Sequence, residues 1–452
     1  MKRLFLVWLL IFKIVGLIAE TPYFAYHDTE LYEQSISLRF AVEMAATNNQ
    51  ELQKAKEDVR IAEYNYKDMR GQLFPQLNFN AGYKLTKNQL PKSVSTTNRD
   101  REEGSISGQL ALSQPIFLGG KLINGIRVLD RVKSMQEKRY ELELQNMIVT
   151  VINAYYDLYL AQEGLSIQLQ ALENAELHLN RVETLFSQGL VSEYDKLRAE
   201  LEVSRLYPEV LNYENIKNLA VENFKRITGF TGDIILNPVI DDTTLSFLDF
   251  EITIDSALST ASRNRIELYL INLTTEIYHV QYEVEKKNFL PNLSFQADLT
   301  KYTSSDSYSI SGDDFGTMGS VGLVFRMPIF TGMSNTSKTL KAKHELRKAE
   351  SEAINTSELI NLEIRQTLQS FTQSKKYLET QEMNLGLAER ALNIAVVRFQ
   401  NQSGIQLEVF DAQIQYNTAQ ISLVQAKIRI IKDYFALNKA LGNNLFNMLG
   451  EL

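Results

Sequence analysis

The 452-residue chain has no cysteine, so no disulfide can brace it and no cysteine can carry an N-terminal lipid. Proline is sparse, at 8 residues, and none falls between the Gly119-Gly120 turn and Gly189, where glycine recurs only at Gly125 and Gly164. Beyond residue 19 no stretch approaches the ~18 consecutive apolar residues of a helical membrane span, so any membrane crossing must be made by β-strands. Basic residues are outnumbered 47 to 55, for a net charge of −8, which argues against a nucleic-acid partner. The same excess is also an ordinary route to solubility. There is no phosphate-binding glycine loop and no nucleophile elbow, and His27, His178, His279 and His344 are scattered without metal-ligand spacing. Acidic pairs such as Asp241-Asp242 and Asp313-Asp314 fall in expected loops. Neither an enzyme, a cofactor nor a bound metal is expected.

The amino terminus carries Lys2 and Arg3, then an apolar run from Leu4 to Ile18 interrupted only by Lys13 and Gly16, ending at Ala19. This pattern predicts a secretory signal over residues 1–19. Its removal leaves 44 basic against 55 acidic residues.

Residues 115–199 recur at 328–412 with a fixed offset of 213. Pro115-Ile116-Phe117 returns as Pro328-Ile329-Phe330, Leu179-Asn180 as Leu392-Asn393, and Phe186 as Phe399. Upstream, Phe74-Pro75-Gln76-Leu77 returns as Leu290-Pro291-Asn292-Leu293 at an offset of 216, so only the segment between the blocks differs in length. A gap-free repeat of that length implies two structurally equivalent halves, residues 20–229 and 253–452, joined by a linker over 230–252 with no clear period.

Each half reads as helix, strand, loop, strand, very long helix, turn and returning helix. The first helix is expected over Ser37 to Arg70 and the strands over about 76–88, 105–117, 292–302 and 319–330. Leu77, Phe79, Ala81, Tyr83 and Leu85 alternate with Asn78, Asn80, Gly82 and Lys84, and the other strands alternate similarly. Polar loops are expected over Lys87 to Gly104 and Thr303 to Gly319. The long helices, about 119–188 and 334–402, would each reach about 100 Å at ~1.5 Å per residue. Leu144, Ile148, Val151, Tyr155, Leu158, Gln162, Leu165, Leu169, Leu172, Glu176 and Leu179 follow a coiled-coil spacing, which predicts lateral packing along one seam. In the second copy Ile364, Leu368, Phe371, Leu378, Leu385 and Leu392 hold the equivalent register. Pro208, inside the first returning helix, predicts a kink near Tyr207. Pro75, Pro115, Pro291 and Pro328 are expected where strand gives way to helix.

Four strands with one apolar and one polar face suit a transmembrane barrel, but four strands cannot close, and open edges are not tolerated in hydrocarbon. Several chains must then share one barrel. Two chains would give eight strands and a filled interior, whereas three would give twelve and room for a lumen. Two hairpins on a soluble core, within a periplasmic coiled-coil scaffold or adaptor that never enters lipid, are the competing reading.

Four segments in order carry a resemblance: Gln114-Pro115-Ile116-Phe117 before Gly119-Gly120; Met327-Pro328-Ile329-Phe330 before Thr331-Gly332; Phe186-Ser187-Gln188-Gly189-Leu190-Val191-Ser192-Glu193-Tyr194-Asp195; and Leu407-Glu408-Val409-Phe410-Asp411-Ala412-Gln413. With them the chain resembles the outer-membrane efflux protein family of TolC-like exit ducts. That resemblance implies a mainly α fold with a transmembrane β-barrel: a homotrimer whose twelve-stranded barrel in the bacterial outer membrane continues into a twelve-helix tunnel through the periplasm. It also implies a passive exit duct for efflux or type I secretion, partnered by a periplasmic adaptor, an inner-membrane pump and outer-membrane lipid. By motif position, Glu408 and Asp411 would ring the periplasmic aperture, six carboxylates in a trimer, although an ordinary solvated acidic face near a helix start has the same pattern. Tyr194, Asp195 and Arg198 occupy gate-locking positions, and Gly189 and Leu190 the adaptor-docking tip. In the second tip Gln402 stands where the family glycine is expected, and Gly404 follows two residues later.

Overall fold

The computed structural model describes residues 36–89, 100–230, 250–305, 315–401 and 403–449, so the expected signal, most of the 230–252 linker and Gln402 lie outside the described residues. Each half opens on two helices where the sequence suggested one. Asn49 (φ −67°, ψ 121°) breaks the first into α1 (Leu38–Asn48) and α2 (Gln50–Gly71). Its carboxamide oxygen accepts from the Glu51 and Leu52 amides at 3.0 and 3.1 Å, capping α2, while its Nδ2 donates to the Ile227 carbonyl.

The first half continues through β1 (Gln76–Gln89), β2 (Asp100–Leu118), α3 (Lys121–Ser187) and α4 (Glu193–Thr228). The second repeats the plan with α5 (Ile254–Asn264), α6 (Ile266–Lys286), β3 (Asn292–Ser305), β4 (Gly316–Arg326), α7 (Ser334–Gln400), α8 (Gln406–Leu441) and a closing turn, α9 (Leu445–Met448). Arg265 breaks α5 from α6 at the position equivalent to Asn49. It is 5% exposed and bonds Glu267 at 2.9 Å, Glu363, and the Lys439 carbonyl at 3.4 Å, partners that offset the cost of burying its charge. Each returning helix ends at a left-handed glycine, Gly229 and Gly442, seated against these breaks. A Cβ there would lie 2.6 Å from Asn48 Cβ and 2.7 Å from the Asn264 carbonyl carbon, so φ and close approach both demand glycine.

The strands form one antiparallel sheet, ordered β1-β2-β3-β4, with both outer edges unpaired among the described residues. Transverse rows sort the two faces: Leu77, Leu112, Ala297 and Val321 align, as do Phe79, Leu110 and Leu299, while Asn80, Gln109 and Thr300 run across the other side. The ladder reaches farther into the polar segments than expected, for Lys87 pairs with Glu102 and Gly104 with Ser305. Backbone pairing needs no apolar side chain, which is why alternation marks only its middle.

The four prolines are not equivalent. Pro75 and Pro291 immediately precede β1 and β3, and Pro328 follows β4, which stops at Arg326 rather than near 330. Pro115 instead lies inside β2, beside a register shift between Pro115 and Phe117. The β1 pairing has already ended at Ser113, so β2 has a strand on one side only and tolerates a missing donor. Pro208, where a kink was expected near Tyr207, lies inside α4, which stays helical throughout Glu193–Thr228.

The main hydrophobic core lies where Met147 to Leu158 of α3 meet α1, Phe224 of α4, Ile360 to Leu378 of α7 and Ala426 to Leu441 of α8. Phe250, at the end of the linker, packs on Phe371 and Tyr434. Past Leu158 the buried seam of α3 departs from the expected one. Ala161, Gly164, Ile167 and Ala171 are covered, whereas Leu169 is 47% exposed. Small residues bring α3 and α4 together, since a Cβ at Gly164 would lie 2.6 Å from the Tyr213 ring, while Leu165, Leu172 and Leu179 are only partly covered.

Candidate functional site

The residues expected at the gate lie on the opening turns of the returning helices α4 and α8, just past the far ends of the long helices. In the first tip, Gly189 is left-handed (φ 71°), and the Leu190 amide bonds the Leu185 carbonyl at 2.9 Å, six residues closing the helix end. Nothing would obstruct a Cβ at Gly189, so its backbone and not its surroundings requires glycine. Leu190 is 58% exposed. The next turn begins with a reciprocal cap: Ser192 Oγ accepts from the Asp195 amide, while the Asp195 carboxylate accepts from the Ser192 amide at 3.1 Å and hydroxyl at 2.6 Å. Asp195 is therefore occupied within its own helix. Tyr194 is exposed, and the Arg198 guanidinium sits 5.5 Å from its ring centroid. Of the expected lock, Tyr194 and Arg198 are brought together and Asp195 is turned to capping.

The second tip is built differently. The Ser403 amide bonds the Arg398 carbonyl at 2.9 Å, and Arg398 answers from its side chain, donating to the Ser403 carbonyl at 3.3 Å. Its Nη1 also pairs with Glu408 Oε2 at 3.2 Å. Gly404 has no left-handed φ. A Cβ there would meet Arg398 Cβ at 2.9 Å, so Gly404 serves close packing where Gly189 serves chain reversal. Glu408 is half-buried and paired, whereas Asp411, one turn on, is exposed and has no ion-pair partner among the described residues. The expected twin acids thus differ within the chain, and only Asp411 offers a free carboxylate.

Above the tips, α3 and α4 meet α7 and α8 around a cavity of about 360 Å³, lined by apolar Leu206, Val396 and Val409 and by polar Asn174, Arg181 and Asn417. At its wall His178 Nε2 lies 3.2 Å from Gln406 Nε2, with the Phe399 and Phe410 rings at 5.5 and 5.3 Å. Burial, aided by the Arg181 charge, holds the His178 imidazole below its ordinary value. Sequence reasoning passed over Arg398, Gln406 and the placement of His178. The available signal was broken repetition, since the 213 offset pairs His178 with Ala391, Gln406 with Glu193 and Arg398 with Leu185. Among the described residues no group of three or more His, Asp or Glu could hold a metal ion. No described helix is long and apolar enough to cross a membrane.

A family model described as outer membrane efflux protein matches residues 41–229 and 258–443. The outer membrane protein TolC of Escherichia coli (strain K12) is 21% identical over 421 residues, spanning 90% of this chain and 83% of that protein. The proteases secretion protein PrtF of Dickeya chrysanthemi is 22% identical, over 90% of this chain and 88% of its own. Among solved structures, CusC superposes with a TM-score of 0.77 at 16% identity, covering 93% of this chain and 96% of that one.

Proposed function

We infer from a chain that belongs to the outer membrane efflux protein family that three copies close one channel. The protein is an outer-membrane transport duct extending into the periplasm, and not an enzyme. The observation that carries the trimer is the open sheet. Both β1 and β4 keep an unpaired edge, and Leu77, Phe79, Val321, Leu323 and Phe325 each stand more than 60% exposed on one face. In lipid such a face is at home, but the edges are not, and only closure satisfies both. Three sheets give a twelve-stranded barrel, whose inward Asn78, Asn80, Gln109 and Thr300 would face water. The two 67-residue helices of each chain, each about 100 Å long at ~1.5 Å per residue, continue the barrel with the returning helices into a tunnel of twelve. Leu169 and Leu177 of α3, 47% and 60% exposed, support this reading, because they need a lateral neighbour.

No nucleotide motif occurs in the sequence, so the duct is passive and its energy comes from partners. PrtF is a protease secretion protein and other relatives serve efflux, which supports an inner-membrane pump and a periplasmic adaptor as those partners. The adaptor would engage the tip at Gly189 and Leu190, and Asp411 from three chains would form the cation-attracting aperture. Purified protein in planar bilayers tests the reading: trimeric material should conduct. A monomer that carbonate washes from membranes would return the chain to the scaffold reading.

A further inference from the structure

We propose that His178 and Gln406 form a proton-sensitive latch between the two helical hairpins of one chain, holding them together while the imidazole is neutral and releasing them when it is protonated. The latch rests on the duct reading and adds a control to it. The contact joins α3 to the first turn of α8, 228 residues apart, and is a direct polar link between the two hairpins beside the cavity; another, Lys432 to Asp157 at 2.6 Å, lies in the main core region away from the tips. Its chemistry fixes the protonation state. Gln406 Nε2 can only donate, so His178 Nε2 must accept, and the ring proton resides on Nδ1. A second proton converts the acceptor into a donor, and two N–H groups then face each other at 3.2 Å.

Protonation leaves the contact only one way to survive: the carboxamide must turn to offer Oε1 to the imidazolium, a rearrangement of a buried side chain. Gln406 is 3% exposed and its Oε1 already lacks a partner, so turning would leave the NH₂ group in that unpartnered position. Nothing nearby welcomes an imidazolium. On its own helix His178 faces Arg181; α7 presents Asn393, Gln400 and the Phe399 ring, and α8 presents Phe410, Gln413 and Asn417, all uncharged. The one carboxylate lining the cavity, Glu202 of α4, is held by Arg205 at 2.7 Å. The imidazole is consequently held below its ordinary value in the packed state. A depressed histidine stabilises the packed state fully above the ordinary value of 6.5 and loses that contribution as pH falls through the depressed one, so acid opens the latch. The offset of 213 places Ala391 and Glu193 at the equivalent positions, so each chain carries one latch.

The absence of native cysteine permits a direct test. Spin labels on the double variant Glu173→Cys, Gln415→Cys, both exposed positions on α3 and α8, report the separation of the hairpins in the full-length trimer. From about pH 8 to about pH 5 the ratio of packed to open hairpins should fall, by up to about tenfold per pH unit for one proton. His178→Gln should abolish the response. A separation independent of pH overturns the latch, as does an undiminished response in His178→Gln. Should that variant fail to assemble, the imidazole nitrogen resonances of the unsubstituted protein decide: titration at or above 6.5 also overturns it. Conductance of the same preparation is read separately. Conducting protein without a pH-dependent separation refutes the latch alone, while protein that never conducts refutes the duct.

Discussion

Glu408 reaches back to Arg398 at 3.2 Å, across the turn that joins α7 to α8, whereas its repeat-equivalent, Asp195, turns on its own helix to grip Ser192. One position in a duplicated frame has thus acquired two tasks. The longer Glu408 side chain bridges two helices, and the shorter Asp195 closes a cap. The resemblance-based pairing of Glu408 with Asp411 therefore separates into a structural acid and a free one.

Asp411→Ala should reduce block of the channel by multivalent cations far more than Glu408→Ala. Only the first removes an unpaired carboxylate, and the exposed Arg398–Glu408 pair is worth ~0–1 kcal/mol in its own right. Bilayer recordings with a trivalent cation check this. Equal loss of block in both single variants would show that the ion pair opens at the aperture.

Ser192→Ala removes one half of the reciprocal cap at the start of α4, the hydroxyl that accepts from the Asp195 amide and donates to its carboxylate, and leaves the backbone amide of residue 192 donating to Asp195. A cost of about 1 kcal/mol is expected, and it should appear locally. Hydrogen exchange at the Asp195 and Lys196 amides should accelerate while exchange around Phe224, in the core, stays as it was.

Much of this architecture could be read from the residues. Period-two alternation located the strands because each sheet face meets a different medium, and the row of Leu77, Leu112, Ala297 and Val321 is the direct image of that pattern. The breaks at Asn49 and Arg265 were not expected from helical periodicity, which runs through the first; Asn49 caps the new helix with its own side chain, and glycines 229 and 442, far along the chain, pack against the two breaks. The α3 seam was misread beyond Leu158 for a related reason: leucine spacing marks an apolar face, but small Ala161 and Gly164 decide which face another helix can approach. At the tips, motif position located the acids, yet their separation depended on Arg398, which has no counterpart in the first repeat.

Gly189→Ala and Gly404→Ala should fail in different ways. At φ 71° an alanine at 189 is strained by ~1–2 kcal/mol but collides with nothing, so the tip turn loosens and its neighbours stay in place. At 404 the backbone tolerates alanine, but the methyl would press on Arg398 Cβ and the Phe399 amide, displacing the guanidinium from Glu408. High salt should therefore narrow the gap in thermal stability between Gly404→Ala and the unsubstituted protein, by screening the ion pair in the latter, and leave that of Gly189→Ala unchanged.

Phe79 and Asn80 are neighbours in β1 on opposite faces, aligned with Leu110 and Gln109 respectively, so arginine at each position reads the medium on each side. If Phe79, which is 70% exposed in the single chain, faces lipid near the bilayer midplane, Phe79→Arg should cost ~2–4 kcal/mol of barrel stability. Asn80→Arg, facing a wet lumen, should leave stability within about 1 kcal/mol and instead lower cation conductance by placing three positive charges in the pore. Urea unfolding in lipid vesicles gives the first quantity and single-channel recording the second. Equal tolerance of the two substitutions, with conductance unchanged, would mean that both faces meet water and that the sheet does not line a transmembrane barrel.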